Sequence, residues 1–136
     1  MNDVDPNLVE DPYPLQNLIG FRMRDWSKDY ARFDLDLRDE LMNRYGIPHG
    51  GVYAMLLDTV MGYSGSYTGD PDRRRLAMTL SMTTNFLSRP TGTTLIGEGR
   101  RRGGGASTFF SEGTITDEAN TLVATATGVF RLRASD

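Results

Sequence analysis

The residues Asn43-Arg44-Tyr45-Gly46-Ile47-Pro48-His49-Gly50-Gly51 run straight into an apolar segment that carries one charge, Asp58. From Gly50 to about Tyr67, Val52, Met55, Leu56, Val60 and Tyr63 fall at helical spacing, so the two glycines open a predicted helix. The first N–H groups of a helix lack intrahelical partners and sit at the positive end of its dipole. Glycines there leave no Cβ to hold a ligand away from those donors. A carbonyl oxygen that gains negative charge during acyl transfer is the kind of group such donors stabilise. The simpler alternative is that Gly50-Gly51 only lets the loop turn tightly.

Asp58 is the only formally charged residue between His49 and Asp70. Acidic side chains are rarely buried without a partner or a task. Partial burial is also how a carboxylate becomes a usable base or nucleophile. Its other possible place is an exposed helix stripe, or a cap on a neighbouring loop. Eight residues separate Asp58 from Gly50, roughly 12 Å along a helix axis. One reacting carbonyl cannot touch both at about 3 Å within a single subunit. If the two act together, the donor comes from one chain and the carboxylate from its partner.

The remaining elements must position these groups. Residues 1–17 hold Asp3, Asp5, Glu10 and Asp11, no basic residue and three prolines, and read as an irregular acidic arm. The single domain is then 18–136. Ile19, Phe21 and Met23 alternate with polar or small residues, as do Phe33, Leu35 and Leu37, predicting a hairpin turned at Ser27 to Asp29. After the helix, Gly62, Gly65 and Gly69 weaken the pattern and four strands follow. The first runs from Leu76 to Leu87, with Leu76, Met78, Leu80, Met82, Thr84 and Phe86 on the face toward the helix. The next two, Thr93 to Arg102 and Ala106 to Thr116, form a hairpin around Gly103-Gly104-Gly105. The last, Thr121 to Arg133, places Leu122, Ala124, Ala126, Phe130 and Leu132 on one face. An antiparallel sheet must hide one face, and a helix apolar nearly all round is its cover. The class is α+β, and pairing sheet edges between two copies would remove an exposed edge.

Composition narrows the chemistry. The chain has 136 residues, enough for a core without disulfide or metal staples. With 15 basic and 18 acidic residues, its net charge of −3 lacks the basic excess of a nucleic-acid binder. Zero cysteines exclude thiolate-ligated metals and cysteine nucleophiles, and a lone His49 excludes every two-histidine metal site, so no metal is expected. Val52 to Leu57 is far shorter than the roughly 20 apolar residues of a membrane span, and the N-terminus has no signal-peptide pattern. The default expectation is a soluble, cytoplasmic protein. Gly62-Tyr63-Ser64-Gly65 lacks the spacing and strand context of a nucleophile elbow.

Asn43, Gly46, His49-Gly50-Gly51 and Leu57-Asp58 together resemble the signature of hotdog-fold acyl-CoA thioesterases, specifically the phenylacetate-pathway (PaaI-like) branch. The predicted strand order fits that family from about residue 18 to residue 133. The resemblance implies an antiparallel sheet of about six strands wrapped around one long central helix. It implies that the Gly50 N–H polarises a thioester carbonyl, that Asp58 is nucleophile or general base, and that Asn43 and His49 position substrate and water. It also implies a site shared across a homodimer, with a dimer of dimers expected, and an acyl-CoA substrate with no separate cofactor. Relatives often carry Ser or Thr early in the strand after the helix, which matches Thr79. Its parity opposes the Leu/Met face, so only a bulge or the dimer seam would bring it to the site. Gly51 and the arginines Arg89, Arg100 and Arg102 are the candidate substrate contacts. Arginine forks suit the phosphates of coenzyme A, although strand ends are also ordinary homes for solvated charge. Two other activities stay open at this point, an acyl-CoA-binding sensor without catalysis and a hotdog dehydratase or hydratase.

Overall fold

A computed structural model describes residues 4–134 of the chain. Asp3 of the expected arm and the last two residues of the expected domain lie outside the described residues. Helix α1 spans Pro14–Ile19, strands β1 and β2 span Arg22–Ser27 and Tyr30–Asp36, and helix α2 spans Gly50–Ser64. Strands β3 to β6 span Arg75–Phe86, Thr94–Gly104, Thr108–Asp117 and Leu122–Ala134. All six pair antiparallel in one sheet of order β1-β2-β4-β5-β6-β3, so β1 and β3 are its edges. Helix α2 touches every strand of the sheet. This is the expected hotdog arrangement.

Helix α2 is central because it is apolar nearly all round, its one charge, Asp58, being only half-buried. Val52, Tyr53, Leu56, Leu57, Val60 and Met61 are buried, and no residue from Gly50 to Ser64 is exposed. The sheet meets it at close range through glycines. A Cβ on Gly97 would lie 2.8 Å from the Leu56 side chain, and one on Gly113 would lie 3.0 Å from Leu57. At Gly99 it would overlap the Val60 backbone, which cannot rotate away. A methyl group there must push the helix off the sheet, an overpacking cost of about 1–3 kcal/mol.

Two expectations fail at the ends of elements. Residues 14–19 form α1 instead of continuing an irregular arm, and Ile19 ends this helix instead of starting β1. The reasons are local. Pro14 occupies a first-turn position where its missing N–H is not needed, and Gly20 closes the helix at φ 101°, donating its N–H to the Gln16 carbonyl at 2.7 Å. In β3 the outward and inward faces are reversed before a bulge and as expected after it. Leu76, Met78 and Leu80 are 45, 47 and 57% exposed, whereas Ala77 and Met82 pack against the core. The ladder to β6 shifts register between Thr79 and Ser81, so odd-numbered residues face inward before the bulge and even-numbered ones after it.

Asp117 ties the segment after β3 to the β5–β6 turn and is fully buried. One carboxylate oxygen accepts the N–H groups of Thr91 and Gly92 at 2.8 and 2.9 Å, and the other accepts those of Ala119 and Thr121 at 3.0 and 2.9 Å. Burial by itself would raise its pKa. The N–H donors of Gly92, Thr121 and Thr91 outweigh it and hold the carboxyl well below the usual carboxylate range. The native state is then the stronger acid. Its stabilisation is complete above the ordinary Asp pKa of about 3.9 and is lost as pH falls from there toward the native value. The thermal midpoint is therefore expected to drop below about pH 4. Asp117→Asn should have a lower midpoint at neutral pH and a shallower acid slope. Identical slopes in differential scanning calorimetry would take Asp117 out of the acid response.

Candidate active site

The loop before α2 is built around Asn43 and His49. The Asn43 side-chain oxygen accepts the N–H groups of Tyr45 and Ile47 at 2.9 and 3.4 Å, while its backbone N–H donates to the Ile47 carbonyl at 2.8 Å. Asn43 thereby shapes the turn that delivers the chain to the helix, and its oxygen is committed to that turn. His49 is the N-cap of α2: its Nδ1 accepts the Gly51 N–H at 2.8 Å. An acceptor at Nδ1 places the proton of the neutral ring on Nε2, and this exposed residue offers that N–H outward.

The two glycines separate in role. The Gly51 N–H is spent on the cap, and a Cβ at Gly51 would lie 3.0 Å from the imidazole nitrogen. Gly51 serves the cap geometry here. The Gly50 N–H has no acceptor among the described residues, and the Phe86 ring lies beside Gly50, 3.3 Å from where a Cβ would stand. The free helix donor is therefore Gly50, beneath the end of β3.

Asp58 stands two turns further along the same helix, half-buried, and accepts a hydrogen bond from the Thr79 hydroxyl at 2.5 Å. The β3 bulge is what makes this possible, because Thr79 is the last inward-facing residue before the register shift. Both residues line a cavity of about 210 Å³ between α2 and β3. Gly62, Ala77 and Phe130 line it too, as do Tyr13, Glu10 and Tyr63. The arm is thus part of the site. Tyr13 Oη lies 3.3 Å from Thr59 Oγ1, and Tyr63 donates its hydroxyl to Glu10 at 3.0 Å. Burial, reinforced by the Glu10 charge, pushes the Tyr63 pKa up, so its hydroxyl keeps its proton.

The arginines named from sequence stand apart from this cavity within one copy. Arg100 stacks over Tyr30 at 4.7 Å and pairs with Glu98 at 3.5 Å, and Arg102 pairs with Glu112 at 2.9 Å. These contacts lie on the face of the sheet turned away from α2. Arg89 is exposed in the segment after β3. Sequence reasoning did not find Glu10 and Tyr13 as neighbours of Asp58. The arm-to-helix contacts bridge 46 and 53 residues, and no local periodicity records them. Among the described residues no group of three or more His, Cys, Asp or Glu could hold a metal ion, and no helix is long and apolar enough to cross a membrane.

The family model of the thioesterase superfamily matches residues 45–124, a span that contains the helix start, Asp58 and Thr79. The chain belongs to the thioesterase superfamily. The hydrolysis of thioesters expected from the Asn43 to Asp58 pattern is the chemistry of that superfamily. Its fold is shared by a conserved protein of Pseudomonas aeruginosa, 23% identical with a TM-score of 0.80 over 93% of this chain and 97% of that one. It is shared as well by the PaaI protein of the phenylacetic acid degradation operon of Escherichia coli, 19% identical with a TM-score of 0.75 over 86% and 82%. A Streptococcus mutans protein bound to acetyl CoA is 26% identical, with a TM-score of 0.72 over 85% and 90%. No curated protein matches the chain in sequence.

Proposed function

We propose that this thioesterase hydrolyses an acyl-CoA to the free carboxylic acid and coenzyme A, at a site assembled from two copies of the chain. The observation that carries the reading is the Asp58 carboxylate, held by Thr79 over a cavity, on the same helix whose free donor, Gly50, lies about 12 Å away. The acetyl CoA held by the Streptococcus mutans relative supports a CoA thioester as the substrate class.

Strand β3 supports the shared site. It is an edge strand of 12 residues, with Thr79 next to Asp58 and Phe86 next to Gly50. Antiparallel pairing of two such edges about a two-fold axis reverses one strand against the other. The Gly50 end of each copy then lies alongside the Asp58 end of its mate. Outward-facing Leu76, Met78 and Leu80, with Phe110 on β5, offer apolar surface for a further pair of copies, giving a dimer of dimers.

In this site the Gly50 N–H binds the thioester oxygen as it becomes an oxyanion. Asp58 either takes a proton from the water that attacks the carbonyl, or attacks the carbonyl itself to form a mixed anhydride that water then hydrolyses, and the Thr79 hydroxyl fixes which carboxylate oxygen faces the substrate. Either attack breaks the C–S bond. A thiolate whose conjugate acid has a pKa of about 8.5 leaves without a proton donor, so one histidine suffices. His49 Nε2–H and the Asn43 amide, at the mouth of the donor end, position substrate and water. Arg89, Arg100 and Arg102 reach coenzyme A phosphates only if these lie outside the cavity. Release of free thiol from a panel of aryl-, short- and long-chain CoA esters tests the reading. Binding of the same esters without thiol release would make the protein a sensor, and hydration of an enoyl-CoA would make it a hydratase.

A further inference from the structure

The Asp58 cavity has a second end, and the residue there is Arg75. Thr79 and Arg75 are four residues apart on β3, a separation of roughly 13 Å at about 3.3 Å per residue. Arg75 lines the cavity, is half-buried, and its guanidinium makes no hydrogen bond or ion pair among the described residues. Its neighbour Arg74 is paired with Glu10 at 3.3 Å, and Glu10 is further held by Tyr63. Glu10 is therefore engaged, while the guanidinium beside it is not. Arg75 also lines an adjoining pocket of about 280 Å³ whose charged residues are Lys28, Arg101 and Asp29, so positive charge exceeds negative there. The cavity that Asp58 and Arg75 share is lined by Ala77 and Phe130 and by the polar side chains of Glu10, Tyr13, Tyr63 and Ser66.

Resting on the thioesterase reading, we propose that Arg75 receives an anionic group of the substrate on the order of 10 Å from the reacting carbonyl. An unpaired guanidinium on the cavity wall suits an anionic group of the ligand. Two parts of an acyl-CoA have that chemistry. One is a carboxylate at the far end of the acyl chain, and the other is a phosphate of the coenzyme A carrier.

Thiol-release kinetics of wild-type protein, Arg75→Gln and Arg75→Lys with three esters test this. The esters are suberyl-CoA, octanoyl-CoA and octanoyl-pantetheine. Loss of a charged hydrogen bond predicts that Arg75→Gln raises the apparent KM about tenfold or more for an ester whose anion Arg75 holds. Arg75→Lys should retain part of the affinity. A rise for suberyl-CoA alone assigns the acyl carboxylate. A rise for both CoA esters, but not for the pantetheine ester, assigns the phosphate. No change, or an equal change for all three, overturns the proposal. If wild-type protein releases no thiol from any ester, the hydrolytic reading fails. Calorimetric titration of the same three esters into wild-type and Arg75→Gln protein still decides the anion site by the same pattern of affinities.

Discussion

Asp58→Asn is expected to lower kcat by about two to four orders of magnitude, the range that loss of a positioned acid–base group brings. The KM for the CoA ester and the oligomer size should stay near wild type. Asparagine has the shape of aspartate, and its side-chain oxygen still accepts the Thr79 hydroxyl that Asp58 accepts at 2.5 Å. What it cannot do is take a proton or attack a carbonyl at neutral pH. The pattern of low kcat with retained KM distinguishes lost chemistry from lost binding. Thiol release together with light scattering checks both halves. A variant that turns over at the wild-type rate removes Asp58 from the reaction.

Gly50→Pro tests the other half of the site by deleting one hydrogen atom from the backbone. Proline lacks an N–H but is tolerated at the first helical position, which Gly50 occupies. The residue before it must be extended, and His49 already is, at φ −62° and ψ 138°. The Phe86 ring must yield by a few tenths of an ångström, since added carbon at Gly50 comes within 3.3 Å of it. The fold is retained and the oxyanion donor is gone, so kcat should fall by about 10²–10³. The decisive form of the experiment mixes this variant with Asp58→Asn after dissociation and reassociation. In a two-chain site, half of the randomly formed dimers are mixed, and each mixed dimer holds one site with neither defect. About a quarter of wild-type activity should return. If donor and carboxylate act within one chain, every site in the mixture carries a defect and activity stays at the level of the separate variants.

The sheet-and-helix architecture was legible because its signals are local. Alternation marked four of the strands, the Gly103-Gly104-Gly105 turn marked a hairpin of the other two, and the almost wholly apolar segment after Gly50 marked a helix that only a sheet could cover. The ends of elements were less legible. Ile19, Phe21 and Met23 have the spacing of a strand, yet Pro14 and Gly20 bracket a helix that claims Ile19. In β3, the larger apolar residues before the bulge point out, because an edge strand can face a partner copy as well as a core.

For the site the same division holds. Asn43, His49, Gly50 and Asp58 fall within 16 consecutive residues, so their spacing alone sets the separation of donor and carboxylate on one rigid helix. That a single copy cannot bring them together is a property of helical rise, available before any coordinates. The division of labour between Gly50 and Gly51 needed the His49 ring in place, since either N–H could have met the cap. Thr79 reaches Asp58 only through a bulge, and a bulge is a property of pairing with β6, a strand more than 40 residues further along the chain. Tyr13, Glu10 and Arg75 enter the cavity because the chain folds back on α2 from both sides. Contacts between residues so distant in sequence follow from packing, and packing leaves no periodic trace in the order of amino acids.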